Sequence, residues 1–416
     1  MLTNYFVDPQ VLQRFRSTPA GPYLDHFAET LANAGFRQIT IQAHVRGAVH
    51  LSDWQQQHGG ALTSLDEAVL DEFKRHLSHC RCRCLGKGPV NQRHIAGARE
   101  FCAHLRDLDV IPRPTPPRDP LSVSPVLVGF GDWMRRHRGV QESSLKCYGH
   151  ILAEAIHVLG DDPQQYNAAA LRAFVLDRAS HHSRSRAKSV ATALRMFIRY
   201  LIAQGQCRPG LERAVPALAY WHLSALPRYL PAAAVERVLS SCDLATDTGI
   251  RDHAILLLLA RLGLRGGDIV TLCLGDIDWD QATIQVMGKS HRPVRLPLPQ
   301  EVGDALLDYL VNVRPTAKSD RVFLCVRPPV RPLAMNATVS DIVKRAIHRA
   351  GVSAPSHGAH VLRHSAATTL LAQGTSLDSI GILLRHSSLR TTEHYAKVDL
   401  KKLQPLAQPW PGVTPC

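Results

Sequence analysis

The sequence predicts a mainly α protein carrying one small antiparallel β-sheet in its last domain. Apolar residues recur at helix spacing through most of the chain, as in Leu145, Tyr148, Leu152, Ile156 and Leu159, a stripe stopped by Gly160. Alternation of the strand kind occurs at Thr283 to Met287 and again at Pro293 to Leu298, on either side of a Gly288-Lys289-Ser290-His291 turn, which makes a hairpin. Two proline-rich tracts, IPRPTPPRDPLSVSP and PALAYWHLSALPRYLP, cannot sustain helices and separate three lengths of chain.

Those tracts set the expected domains. Residues 1–111 form a helical N-terminal extension, 112–125 a linker, 126–213 a helical domain, 214–227 a second linker and 228–416 the last domain with its tail. In the extension, Leu24, Phe27 and Leu31 share one helix face, as do Ile41, Val45, Ala48 and Leu51. Gly59-Gly60 breaks that pattern, and Ser64 with Glu67 reads as a capping box for a helix bearing Leu70, Phe73 and Leu77. The cluster of His76, His79, Cys80, Cys82, Cys84, Cys102 and His104 lacks the paired spacing of a zinc site, so the cysteines read as incidental to a basic helix end and no metal is assigned. The run from Arg81 to Lys87 fits a solvated face or a phosphate contact equally well.

In the second domain Ser183 is placed to cap a long helix ending at Gly205. Val190, Leu194, Phe197 and Leu201 fall in one sector of it, and Arg184, Lys188, Arg195 and Arg199 in another, so one side packs and the other presents cations to a DNA groove. Composition agrees: 49 basic against 35 acidic side chains leave +14. A pI near 9.6 favours a polyanionic partner, nucleic acid before an anionic membrane. No apolar run approaches the roughly 18 residues that span a bilayer. The start, MLTNYFVDPQ, lacks the basic and apolar regions of a secretion signal. Ten scattered cysteines suit a reduced, cytoplasmic protein.

The chemistry lies in HVLRHSAATTLLAQGTSLDSIGILLRHSSLRTTEHY, from His360 to Tyr395. His360 and Arg363 stand three apart on one helix face. Gly374 stops that helix and Ser376 caps the next, which ends near Leu384 before Arg385, His386 and Ser387. Thr391 and Thr392 are placed to cap a third helix carrying Tyr395. Upstream, a buried helix through Ile255 to Leu259 leads to Gly263-Leu264-Arg265 and then Asp268, and Asp341 to Arg349 reads as a helix stopped by Gly351. Imidazoles, guanidiniums and a phenol tethered together suit a phosphodiester, with donors for its anionic oxygens and a hydroxyl to attack.

This combination resembles the tyrosine recombinase (integrase) family, strongly over residues 228–400 and loosely over 126–213. The resemblance implies a C-shaped clamp with a helical core-binding domain, a double-stranded DNA substrate, and catalytic residues at Arg265, Lys289, His360, Arg363, His386 and Tyr395, with Asp268 helping to hold Arg265. Tyr395 would attack the phosphate in line, leaving a 3′-phosphotyrosyl bond and a free 5′-hydroxyl. The two arginines would grip the non-bridging oxygens, Lys289 would protonate the leaving oxygen, His360 would assist the phenol and His386 would bond the phosphate. Guanidinium charge does a cation's work, so neither metal nor cofactor is called for, and four protomers on two sites, with or without sister recombinases, would complete an exchange. Arg385 departs from the pattern, standing where glycine usually precedes the histidine. The long N-terminal extension and the ending after Tyr395 are similar to a mobile-element subgroup, and the tail with Leu400, Leu403, Leu406 and Trp410 would pack on a neighbour or on its own core. A tyrosine-type topoisomerase shares this chemistry. A non-catalytic DNA-binding relative would have lost some of these residues, and a metal-dependent nuclease would need carboxylates near the histidines.

Overall fold

A computed structural model of the chain describes residues 1–80, 92–113, 119–218, 226–287, 293–386 and 388–398. It divides into two compact units, Met1–Pro112 with Ala225–Cys416, and Arg113–Ser224. None of the described helices is long and apolar enough to cross a membrane.

The first unit opens with α1 (Pro9–Arg16), α2 (Gly21–Asn33), α3 (Gln38–Gln57), α4 (Glu67–Leu77) and α5 (Gln92–Asp107). They close on a core of their own in which Leu24, Phe27, Val45, Leu51, Phe73 and Phe101 are buried. Two glycines let α3 and α5 touch. A Cβ on Gly47 would lie 2.4 Å from the His94 carbonyl oxygen, and one on Gly97 would lie 2.4 Å from His44 Cα. The capping box expected from Ser64 and Glu67 does not form. Asp66 caps α4 instead, its carboxylate accepting from the Val69 N–H at 2.9 Å, while the Ser64 hydroxyl donates to the Ala61 carbonyl. A carboxylate immediately before the first helical residue takes the cap that a hydroxyl further back cannot reach.

The second unit holds α6 (Pro125–Arg138), α7 (Glu142–Leu159), α8 (Ala168–His181) and α9 (Arg184–Ala203). The Ser183 hydroxyl caps α9 by accepting from the Arg186 N–H. Val190, Leu194, Phe197 and Leu201 are buried along that helix, as its pattern predicts. Gly160, with φ +94°, takes the chain out of α7 through a backbone region that side chains disfavour.

After the second tract the first unit resumes with α10 (Ala232–Ser240), α11 (Asp247–Arg261) and α12 (Gly266–Thr271). A three-stranded antiparallel sheet follows, β1 (Ile277–Asp278), β2 (Thr283–Met287) and β3 (Pro293–Pro297), in which Thr283 faces Pro297 and Met287 faces Pro293. Ile284, Val286 and Leu296 turn inward onto the core. Next come α13 (Gln300–Asp308), α14 (Asn336–Arg349), α15 (His360–Ala372), α16 (Leu377–Leu383) and the short α17 (Leu389–Thr392), which runs into a 3-10 turn over Glu393–Val398. α14 begins earlier than expected, because Val339 joins the buried stripe of Ile342, Val343 and Ala346.

Candidate active site

The site forms where the end of α11 meets α15 and α16. α11 is buried along Ile255 to Leu259 and stops at a turn in which Gly263 has φ +59°. A Cβ there would sit 2.6 Å from a Leu384 methyl, so only glycine lets these segments close. The Gly263 carbonyl accepts from Arg363 Nη1, and the Leu384 carbonyl accepts from Arg363 Nη2. Arg363 is thereby anchored at both ends of its fork inside the protein. Arg265 stands at the N-cap of α12, held by its backbone N–H, which donates to Asp268 Oδ2 at 2.7 Å. Its guanidinium reaches across to donate to the carbonyls of Leu384 at 3.5 Å and Arg385 at 3.3 Å. Both arginines therefore bracket one turn of backbone, the turn after α16.

That turn is made by Arg385, whose φ of +54° is left-handed. Its side chain is buried and donates from Nη2 to Asp268 Oδ2 at 2.5 Å. Asp268 thus holds Arg265 through the backbone and pairs its charge with Arg385. The next residue, His386, shares a 2.8 Å hydrogen bond between Nδ1 and the Thr392 hydroxyl. Thr391 and Thr392 do not cap a helix bearing Tyr395, as the sequence suggests. They lie inside α17, and Thr392 is buried against His386 because the helix starts at Leu389. Tyr395 follows in the 3-10 turn, 2% exposed, its ring parallel to His386 at 6.4 Å. Gly374, at φ +91°, ends α15, and the Ser376 hydroxyl caps α16 by accepting from the Ser379 N–H.

The phenol oxygen has an unexpected partner. His364 Nδ1 and the Tyr395 hydroxyl share a 2.8 Å hydrogen bond, whereas His360, the histidine expected to assist the phenol, stands exposed in the first turn of α15. A signal for His364 was present: it follows Arg363 directly and lies four residues beyond His360, on the same helix face.

The electrostatics are those of a site that awaits an anion. Three guanidiniums, Arg265, Arg363 and Arg385, face the one carboxylate of Asp268. Burial, and then the charge of Arg265 and Arg385, lower the Arg363 pKa to about 10; burial and Arg385 lower that of Arg265. Burial pushes the Tyr395 phenol up to about 12, against a smaller opposing pull from Arg363. Burial also takes His364 and His386 down to about 4, assisted by neighbouring histidines and arginines. Crowding by protein lowers His360 as well, followed by Arg363 and Arg265. At about 4, His364 and His386 are neutral at neutral pH, and each ring carries one lone pair.

Five of the six expected catalytic residues are thereby brought together; Lys289 lies outside the described residues, as does the tail beyond Val398. Of the four cations expected to meet DNA on α9, Arg184, Lys188 and Arg199 are exposed. Arg195 instead donates from Nη2 to the carbonyls of Val215 at 3.1 Å and Pro216 at 3.3 Å, tying down the chain as it leaves the second unit.

Comparison with known proteins gives the chain its relatives. Residues 228–402 match the family described as the phage integrase family. The chain is 35% identical to y4rA of Sinorhizobium fredii, named for an integrase/recombinase, over 98% of this chain and 99% of that protein. It is 33% identical to the tyrosine recombinase XerD of Xanthomonas axonopodis pv. citri, over 55% of this chain and 76% of XerD. Among solved structures, an integrase of the Tn1549 transposon in complex with transposon right end DNA superposes with a TM-score of 0.53 at 16% identity, covering 67% of this chain and 99% of that one. A lambda integrase dimer bound to a core site gives 0.53 at 18% identity, covering 70% and 98%.

Proposed function

The chain belongs to the phage integrase family of tyrosine recombinases, and on that premise we propose that it recombines double-stranded DNA for a mobile element through the residues gathered around Tyr395. It is a DNA strand-cleaving and rejoining enzyme. The observation that carries the residue assignment is the Tyr395 hydroxyl, hydrogen-bonded to a neutral histidine within a cluster that also holds Arg265, Arg363 and His386.

In this reading the phenolate oxygen of Tyr395 attacks the scissile phosphorus, the bond to the 5′-oxygen breaks, and the DNA 3′ end stays on the tyrosine. His364, in the tautomer protonated at Nε2, accepts the phenol proton at Nδ1. A phenol whose pKa is held near 12 needs such a partner at the moment of attack. Arg265 and Arg363 stabilise the charge that builds on the non-bridging oxygens; their carbonyl contacts fix the forks in advance, so little reorganisation is needed during reaction. His386, oriented by Thr392, donates to the phosphate, and His360 lines the open side. Lys289 protonates the departing 5′-oxygen, an assignment that rests on its place in the hairpin sequence. Reversal by a 5′-hydroxyl of another strand reseals the DNA without a nucleotide cofactor, because the phosphotyrosyl bond keeps the energy of the bond it replaced.

Two duplexes have four strands to exchange, so the working assembly is a tetramer, with each protomer cutting one strand. Exposed Arg184, Lys188 and Arg199 on α9 supply phosphate contacts. A DNA substrate places this work in the bacterial cytoplasm, at the nucleoid.

The test is a nicked duplex carrying the end of the element, incubated with wild-type protein and with Tyr395→Phe, then run on a denaturing gel. Wild type should give a covalent protein–DNA adduct and Tyr395→Phe none, with equal binding in a native gel. Binding without any wild-type adduct would refute the catalytic reading in favour of a DNA-binding relative.

A further inference from the structure

Three ligating atoms converge far in sequence from the residues assigned to strand transfer. His50 lies within α3, His76 in the last turn of α4 and Cys80 shortly beyond that helix. Their Nε2, Nε2 and Sγ atoms fit within 4.8 Å of one another. His50 Nε2 is 3.2 Å from His76 Nε2 and 3.5 Å from Cys80 Sγ. A tetrahedral zinc, with Zn–N about 2.05 Å and Zn–S about 2.3 Å, sets two nitrogens about 3.3 Å apart and a nitrogen and sulfur about 3.6 Å apart. Both observed separations agree to about 0.1 Å with that geometry.

Hydrogen bonding alone explains the arrangement less well. A ring nitrogen of neutral imidazole offers one lone pair or one proton, directed in the ring plane. His50 Nε2 has two neighbours at close range and can serve only one of them properly. A cation at the point of convergence accepts a lone pair from each. Aromatic rings back both imidazoles: Phe73 stands edge-on to His50 at 5.1 Å, and Trp54 lies 5.7 Å from His76.

We propose that His50, His76 and Cys80 bind a zinc-class divalent ion that clamps the end of α4 onto α3. Two imidazoles and a thiolate select a borderline-soft ion over magnesium or calcium, which prefer oxygen. The fourth position is left to water. The role is structural, because the ion ties two helices of the N-terminal core and touches nothing assigned to strand transfer.

The full-length protein, purified without chelator, should retain about one zinc per chain by mass spectrometry of the metal. Replacement with Co²⁺ should give a thiolate-to-cobalt charge-transfer band together with the intense visible bands of a tetrahedral ion. His50 is too buried for a clean variant, so Cys80→Ser and His76→Gln are the test, with circular dichroism to show that each folds. Each should lower retained zinc on the order of ten-fold or more, and Cys80→Ser should abolish the charge-transfer band. Failure of the full chain to retain zinc and to give that band on Co²⁺ titration would overturn the site. So would undiminished zinc in both variants.

Discussion

Arg251 and Arg385 are both buried guanidiniums paired with an aspartate in the same unit, and their surroundings differ in one respect. Arg251 is saturated: Nε and Nη2 donate to Asp252 Oδ1 at 3.0 and 2.6 Å, and Nη1 donates to the Leu324 carbonyl at 3.2 Å. Among the described residues, Arg385 donates from Nη2 to Asp268 alone, and its buried Nε and Nη1 find no hydrogen-bond partner. A buried donor left unsatisfied costs about 1–3 kcal/mol. Folding alone would not keep such a group, and a left-handed backbone at a non-glycine residue adds to the expense. Arg251 joins α11 to the strand-like segment at Leu324 and is a fold element. Arg385 lies beside Arg265 and Arg363, whose pKa values are both lowered partly by its charge, and the cluster as a whole carries more positive charge than Asp268 offsets. Under the function proposed above, a phosphate entering the cluster would relieve that imbalance, so Arg251 would serve stability and Arg385 the ligand.

The comparison breaks most easily at the saturated end. Arg251→Ala leaves Asp252 as an uncompensated buried charge and should destabilise the protein by about 3–5 kcal/mol, seen as a large fall in the urea midpoint. Arg385→Ala removes a single hydrogen bond and two unsatisfied donors, so its loss should be at the low end of that range, about 3 kcal/mol. Its adduct yield on the nicked substrate should fall further than stability explains. Arg385→Gly should recover about 1 kcal/mol relative to Arg385→Ala, since glycine adopts φ +54° without penalty. If Arg385→Ala were the more destabilising of the two alanine variants, the division between fold and ligand would be wrong.

Much of this was legible in the sequence, for reasons that also mark the limits. Helix faces such as Val190 to Leu201 and strand alternation at Thr283 to Met287 are local periodicities, and local periodicity is what a sequence displays. Arg265, Arg363, His386 and Tyr395 were found through a family pattern of short motifs. What escaped notice depends on segments that meet only in the fold. Asp268 and Arg385 are 117 residues apart, so their ion pair could not be read from either motif. His50 is 26 residues from His76 and 30 from Cys80 and sits on another helix, so their approach cannot be read from the cysteine run. His364 was visible on the right face, but only the turn of Glu393–Val398 decides which imidazole the phenol meets.

The smallest expected effect sharpens the contrast at the histidines. An exposed imidazole titrates near 6.5, whereas His364 and His386 are held near 4 by burial and adjacent cations. The unfolded chain therefore binds more protons than the folded one between those values. By linkage, the stability these neutral rings contribute is whole above pH 6.5 and is lost as pH falls toward 4. His44, also near 4, adds to the same slope from the N-terminal core. Between about pH 6.5 and 5 few carboxylates titrate, so a fall in Tm over that window reports the histidines. The slope should be shallower in His364→Gln, which keeps a polar group near Tyr395 and removes the titration. An equal slope in that variant would mean that His364 keeps the pKa of an exposed imidazole in the fold, against the burial that its contact with Tyr395 requires.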